Sequence, residues 1–531
     1  MNKWRKFRIS LAISGMDGTG KTTISLELMR KLSKFGVPTM YIHGFSNPIL
    51  SRLPVLSMLF GTGHKKMLSR PLSYKAKKSF LHNMELCIWH SVVFIEFLLY
   101  VSYVKRKNRT HIIVFDRFWY DRFAYMLARA DDFFLLQIIY TKLFQIIKPD
   151  LSVFLKVGST TAKERKKGDH DYSLDFYEKL ANSYESIYCK ISKNSSFIRI
   201  NTEKADLDFI TNEILKNFFN ARYSVLSQIF SIAKKSRLEY ALLCFLSSIG
   251  FKSPQISRLS KICKNKEKKV ERALHHLSHL NSLGAGALLF KSYNVCITTL
   301  PNDIDILLRS DPRKSLLKLR EISGNVTVSV RSPWEMEIFI PNTIEIEIAP
   351  HVMWFNTPFV SDELTFTSPR KVSVLNVELL TTNAVCDYLS RCAHALFGHF
   401  CLRFDEYLHI LEVSKSLSEQ EHKLVLNEVQ RMGWKEGYTY FINELNKIQT
   451  TMCTLNNSQL DSGFKTPVFP YKFPYLLVSF FSLKPIFNNF QKRHLTLTGL
   501  FWSVLQYFKH TFLTYFYRLG EKLVAFWIKE V

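Results

Sequence analysis

The sequence predicts an α/β protein: a doubly wound parallel sheet with helices on both faces, then a helical linker, a smaller α+β domain and a helical C-terminal tail. Three observations carry that prediction. Short apolar strands alternate with helical patterns over residues 1–220, as βαβ units do. A strand-rich block occupies about 286–375, with helical patterns before and after it. The chain has 531 residues, which suits about three domains of roughly 150 residues. The boundaries expected are 1–220, 221–285, 286–450 and 451–531.

In the first domain, Ile9–Ser14 reads as a buried strand, Thr22–Phe35 as a helix, and Thr39–His43, His111–Phe115 and Leu151–Val157 as further strands. Between them Lys77–Tyr103 is a long apolar helix interrupted by Glu85, His90 and Glu96. Those polar residues and the strand that follows favour a buried helix over a membrane span. Residues 221–285 are helical and basic: Leu238–Ser248 and Glu267–Leu280 are amphipathic, with Lys261, Lys264, Lys266, Lys268 and Lys269 around a turn. Strands are expected at Cys296–Thr299, Ile304–Leu308, Asn325–Val330, Glu337–Ile340 and Ile344–Ile348, and helices from 376 to 450. The tail from Phe464 mixes aromatics with lysines, and Pro467, Pro470, Pro474 and Pro485 break up its first part.

Hydrophobic residues make up 47% and charged residues 22%, which excludes a mainly disordered chain. The nine cysteines are scattered and never spaced C-x-x-C, so neither a disulfide framework nor a zinc ribbon is indicated. With no secretory signal pattern, the expectation is a reducing, cytoplasmic setting, peripheral at a membrane if the tail binds one. The 72 Lys+Arg against 45 Asp+Glu leave a formal charge of +27, which favours anionic partners such as nucleotides, nucleic acid or an acidic membrane surface.

The strongest motif is Gly15-Met16-Asp17-Gly18-Thr19-Gly20-Lys21-Thr22, a full match to G-x-x-x-x-G-K-[ST] between a strand and a helix. Its glycines let backbone N–H groups curl around phosphate oxygens at a helix N-terminus. Lys21 is placed to reach the β/γ-phosphates of ATP and the Thr22 hydroxyl to ligate Mg²⁺. Asp116-Arg117 ends a second buried strand, Ile112–Phe115. An acid there suits the Mg²⁺ shell and the adjacent arginine an acceptor phosphate.

These residues resemble the thymidylate kinase family of nucleoside monophosphate kinases over about 1–218. Gly15-x-Asp17-Gly18-x-Gly20-Lys21-Thr22-Thr23 is similar to its phosphate loop. Asp116-Arg117-Phe118 with Ala124-Tyr125 is similar to its D-R-Y and A-Y pair, and Lys148-Pro149-Asp150-Leu151 to its P-D-L segment. Thr161–Asp171, with Glu164, Arg165, Lys166 and Lys167, resembles its basic lid, and Asp171-Tyr172-Ser173-Leu174 the start of the helix after it. The resemblance departs at His43-Gly44-Phe45-Ser46-Asn47-Pro48, where that family often has R-E-P or D-R-P. It implies that Asp17 faces the acceptor sugar, Arg117 the acceptor phosphate, and Arg165 with its lysine neighbours the transferring phosphoryl. Gly15, Gly18, Thr19, Gly20 and Thr23 would then line the ATP phosphates beside Lys21 and Thr22. A homodimer through this domain is a further expectation.

Asn302-Asp303-Ile304-Asp305-Ile306-Leu307-Leu308 puts two carboxylates on one face of a strand, since side chains alternate with period two. Such a pair, with a third acid from a neighbouring strand, can hold two Mg²⁺ ions. Ile344-Glu345-Ile346-Glu347-Ile348 supplies that strand. With Lys291-Ser292 and the later helices bearing His394, His399 and Arg403-Phe404-Asp405, residues 286–415 resemble the polymerase-beta-like nucleotidyltransferase superfamily. The resemblance implies Asp303, Asp305 and Glu345 or Glu347 as metal ligands, with Ser292 contacting the triphosphate. Phe290-Lys291 stands where that family has a glycine pair. Glycine permits close backbone approach to phosphate, whereas Lys291 either fills that space or adds a positive charge to it.

Cys386, Cys392, His394, His399 and Cys401 cluster, but their spacings fit no zinc motif. Leu238–Leu289 reads either as a basic helical bundle or as a winged helix that binds nucleic acid. Phe464–Val531 reads either as packed on the protein or as an aromatic, basic helix at a membrane interface. Two functions follow. One is Mg-ATP-dependent phosphoryl transfer to a nucleoside monophosphate, with nucleotidyl transfer in the second domain. The other is ATP-regulated attachment to nucleic acid or membrane.

Overall fold

The computed structural model describes residues 9–44, 94, 97–108, 111–129, 148–166, 173–191, 196–203, 205–221, 223–235, 238–291, 300–301, 303–309, 312–332, 335–349, 351–354, 357–455, 464–469 and 471–473. Ser292, Lys167, most of the expected helix 77–103, the expected strand Cys296–Thr299 and the tail beyond residue 473 lie outside them. The chain divides into two compact units. The first joins Trp4–Ile232 with Thr450–Val468, and the second is chiefly Ala233–Gln449 with Phe469–Val531.

In the first unit, β1 (Ser10–Gly15), β2 (Thr39–His43), β3 (Ile112–Asp116), β4 (Leu151–Lys156) and β5 (Phe197–Asn201) form a sheet in the order β2-β3-β1-β4-β5. Every pairing is parallel. The central strands are near-continuous apolar runs because both faces are covered. Ala12, Met40, Ile42, Ile113, Phe115 and Phe154 share one core with α2 (Trp119–Arg129) and α4 (Leu174–Ile191), while α1 (Lys21–Ser33) and α5 (Leu207–Ala221) also pack on the sheet. Residues 97–107 are helical, and Phe94, Phe97, Val101 and Val104 are buried in the same core as Phe118 and Trp119. No described helix is long and apolar enough to cross a membrane.

The open edge of β2 is covered from far along the chain. Tyr41 N donates to Phe464 O at 2.9 Å, Thr466 N to Thr39 O at 3.0 Å, and Thr39 N to the Thr466 hydroxyl at 2.8 Å. An exposed strand edge is a template for unwanted pairing, and residues 464–466 close it.

After α6 (Tyr223–Lys235), the second unit begins with α7 (Glu239–Ser248) and α8 (Pro254–Ser282). The expected lysine-rich turn is absent: α8 is one helix of 29 residues. Ser253 caps it by accepting from Ile256 N, and Pro254 occupies the first turn. Lys261 to Lys269 contain no glycine or proline, and lysine and glutamate are good helix formers. The helix–turn–helix of a winged-helix reading therefore does not form.

A seven-stranded mixed sheet follows, built from β6 (Ala287–Phe290), β7 (Asp303–Leu308), β8 (Thr327–Ser332), β9 (Glu335–Phe339), β10 (Glu345–Ala349), β13 (Arg370–Val374) and β14 (Val377–Thr381), in the order β13-β14-β6-β7-β10-β9-β8. Ile304, Ile306, Ile338, Ile346 and Ile348 pack with Val270, Leu274 and Leu277 of α8 and with Leu319 of α9 (Pro312–Ser323). The short pair β11 (Met353–Trp354) and β12 (Thr357–Pro358) and α10 (Asp362–Phe366) precede β13. Helix was expected from residue 376, but Val377–Thr381 is a strand. Leu375 and Asn376 take φ of 48° and 64°, a two-residue reversal that pairs Val374 with Val377. Helices resume at α11 (Ala384–Ala393), which runs into a π-helical turn, His394–Gly398, before α12 (Phe404–Ser416).

Candidate active site

The phosphate loop links β1 to α1 at the carboxyl end of the parallel sheet, where such sheets bind ligands. Gly15, Gly18 and Gly20 take φ of 153°, 88° and 86°. Gly18 has a second constraint: a Cβ there would lie 2.6 Å from Ala162 O in α3 (Ser159–Arg165). Only glycine lets the loop and this helix approach so closely. Thr19 is buried and its hydroxyl donates to Met16 O at 2.7 Å, which pins the bend. Thr22 and Thr23 face outward in the first turn of α1.

Lys21 is buried, and its ammonium donates to Gly15 O and Met16 O, both at 2.8 Å, and to Asp17 Oδ1 at 3.2 Å. Burial lowers its pKa, against the opposing pull of Asp17. Asp17 Oδ1 also pairs with Arg117 Nη2 at 2.8 Å, and Oδ2 accepts from the Tyr125 hydroxyl at 2.7 Å. Burial alone would raise the Asp17 carboxyl, but the Lys21 ammonium and the Arg117 guanidinium together hold it well below the usual carboxylate range. The acid expected at an acceptor sugar is thus the counter-ion of both cations.

Asp116 is fully buried at the end of β3. Its Oδ2 accepts from the Thr22 hydroxyl at 2.7 Å and from the Tyr41 hydroxyl at 2.6 Å, while Oδ1 has no hydrogen-bond partner among the described residues. A buried carboxylate oxygen without a donor is costly, and a hydrated Mg²⁺ ion beside Thr22 would supply one. The residues present therefore fit the metal. Arg117 takes φ of 73°, and Gly44 stacks on its peptide: Gly44 N donates to Asp116 O at 2.8 Å, and a Cβ would fall 2.0 Å from Arg117 O. His43 sits beside them, its pKa lowered by burial. Arg165, exposed at the end of α3, reaches Gly18 O at 3.4 Å and Thr202 O at 3.5 Å, so the basic helix does meet the phosphate loop.

Two residues absent from the sequence reading fix this arrangement. Asp121 accepts from Gly15 N, Phe118 N and the Tyr184 hydroxyl at 2.9, 2.9 and 2.7 Å, and the Tyr184 hydroxyl, whose one proton these acceptors share, also lies 2.9 Å from Gly15 O. They tie the loop to α2 and α4. Asp121 lies five residues beyond Asp116, but nothing local reveals its partners.

In the second unit, β7 and β10 run parallel with Asp303 opposite Glu345 and Asp305 opposite Glu347. β9 then places Glu337 opposite Glu347. All five acids share the sheet face turned away from α8 and α9. Carboxylate oxygens of Glu337, Glu345 and Glu347 lie within 4.8 Å of one another, which suits a cation. Glu337 was expected only as a strand residue. Asp305 Oδ1 pairs with Lys291 Nζ at 3.3 Å. Among the described residues the Cys386–Cys401 stretch forms no metal-holding cluster.

No protein-family model and no curated protein matches the chain. Among solved structures, it is similar to deoxyadenosine kinase from M. mycoides with products dCMP and a flexible dCDP bound, at 18% identity over 40% of this chain and 100% of that one, with a TM-score of 0.26. The same kinase with bound dATP gives 19%, 40%, 100% and 0.26. Thymidylate kinase from Ehrlichia chaffeensis gives 18%, 40%, 97% and 0.26. The first unit itself is a five-stranded parallel sheet flanked by helices, with the phosphate loop between its first strand and helix.

Proposed function

We propose that the first unit transfers the γ-phosphoryl group of Mg·ATP to a nucleoside monophosphate. The observation that carries this is the Thr22–Asp116–Tyr41 cluster at the mouth of the phosphate loop, in which the second Asp116 oxygen has no partner among the described residues. In this reading Lys21 turns from its loop carbonyls to the β/γ-phosphates, as Gly15, Gly18, Thr19, Gly20 and Thr23 frame them. Thr22 and Asp116 hold Mg²⁺, which when bound neutralises charge on the transferring group. Arg117, aligned by Asp17, takes the acceptor phosphate, and Arg165 swings over the γ-phosphoryl. The acceptor is already anionic, so positioning and charge neutralisation suffice without a strong base. Calorimetric titration of the full chain tests the site. ATP should bind in a Mg²⁺-dependent manner, and Lys21→Met, which keeps the buried stem, should remove binding. Equal affinity in the variant would refute the assignment.

For the second unit we propose nucleotidyl transfer. What supports this is the parallel register that sets Asp303 and Asp305 opposite Glu345 and Glu347, beside Glu337, an arrangement of carboxylates that can hold divalent cations.

A further inference from the structure

We propose that the outward face of α8 is a docking surface for the sugar–phosphate backbone of a nucleic-acid duplex. The proposal is independent of the two activities above.

Seven lysines and arginines against two glutamates fall within α8, a single unbroken helix. Burial divides that helix lengthwise. Val270, Ala273, Leu274 and Leu277 lie in the core against the sheet. Arg258, Lys261, Lys264, Lys268, Lys269 and Arg272 are exposed. At 3.6 residues per turn, Lys261, Lys264, Lys268 and Arg272 project from the side opposite that core, with Arg258 and Lys269 flanking them. From Arg258 to Arg272 the helix rises about 21 Å. Six cations over that length are about one per 4 Å, close to the roughly 3.4 Å of axis per phosphate on one strand of a duplex.

This crowding is unlike the rest of the surface. Lysines on other described helices pair with an acid three or four positions away, as Lys179 does with Asp175, Lys216 with Glu213 and Lys423 with Glu419. On α8 the two glutamates, Glu267 and Glu271, lie half-buried on the flank, and the Tyr240 hydroxyl donates to Glu267 at 3.5 Å. Like charges three or four positions apart repel along a helix, and a row of phosphates relieves that repulsion. Beside α8, on the same side of the sheet, α9 adds exposed Lys314 and Arg320, and Lys318 Nζ donates to Leu283 O at 2.6 Å just past the end of α8. The acidic row occupies the other side of the sheet, so it does not front this basic face.

The chemistry of the face selects the occupant. An interfacial helix buries its own apolar side in lipid, but that side of α8 is already in the core, and among its described residues only Ile262 is a large apolar side chain left exposed. Single strands are held by stacking bases on aromatic rings, and α8 has no Phe, Tyr or Trp. What remains is a straight basic row suited to backbone phosphates and carrying no base-specific pattern.

The test is fluorescence anisotropy of short labelled DNA and RNA duplexes of mixed sequence, titrated with the full chain. Affinity for at least one duplex should fall about 10³-fold or more between about 50 and 200 mM salt. A variant with Lys264→Gln, Lys268→Gln and Arg272→Gln keeps good helix formers. It should bind more weakly, and its slope of log affinity against log salt should become shallower by about three. A control with Lys415→Gln, Lys423→Gln and Lys447→Gln removes the same charge from other helices and should keep the parent's slope. No binding of either duplex at the lower salt, an unchanged slope in the α8 variant, or an equal change in the control would overturn the surface. Capture by phosphatidylserine vesicles in place of either duplex would overturn it in favour of a membrane.

Discussion

Asp121 accepts three hydrogen bonds while 1% exposed, and the loop's entry at Gly15 depends on one of them. Asp121→Asn keeps the shape but turns one acceptor oxygen into a donor opposite another donor. The expected cost is about 1–3 kcal/mol of stability, read by denaturant unfolding, with weaker ATP binding; an unchanged midpoint would contradict the buttress role. Gly15–Thr22 and Asp116–Arg117 are legible in the sequence because each is contiguous and its chemistry follows from residue type. Tyr41, Asp121 and Tyr184 are not, because a buried hydroxyl's partner depends on packing: Tyr184 meets Gly15 across 169 positions. The role of Asp17 was legible only as an acid in the loop, since its pairing with Arg117 requires the β3 turn to be folded.

At the scale of elements, the cover over β2 has a titratable latch. His111 is 8% exposed and its Nε2 lies 3.3 Å from Thr466 O. Burial pushes its pKa from 6.5 down to about 4. Between those values the unfolded chain holds a proton that the folded chain lacks. Stability therefore falls as pH drops from about 6.5 to about 4, and levels off below, by on the order of 3 kcal/mol in all. The stability of His111→Gln relative to wild type should rise as pH falls from about 6.5 to about 4, because the variant has no proton to take up, read from unfolding midpoints; parallel curves would dismiss the latch. The pairing of 464–466 with β2 could not be read from sequence, because a short polar stretch more than 400 positions away carries no register signal. Period-two alternation put Asp303 with Asp305, and Glu345 with Glu347, on one face of each strand, while the pairing of β7 with β10 sets the two pairs opposite one another. Glu337 escaped because antiparallel register between β9 and β10 is fixed by their pairing, not by spacing. The turn expected around the lysines of α8 does not form, because lysine and glutamate favour helix and no glycine or proline interrupts them.

For the whole molecule, two compact units imply two unfolding transitions. Mg·ATP should raise only the one belonging to the first unit, by about 2.7 kcal/mol at a hundred times its dissociation constant. Calorimetry shows this directly, and a single transition, or a shift of both, would count against independent units. Because Thr450–Val468 belongs to the first unit, a fragment ending at residue 232 lacks part of its fold, so assays need the full chain. The formal charge of +27 concentrates anions near both units but selects none of them. The central claim is phosphoryl transfer. It is tested most directly by following label from γ-labelled ATP, with Mg²⁺ and the full chain, into a panel of ribo- and deoxyribonucleoside monophosphates. The expected result is a labelled diphosphate from at least one of them, absent with Lys21→Met. ATP binding by a folded chain with no transfer to any monophosphate, or equal transfer by Lys21→Met, would contradict it.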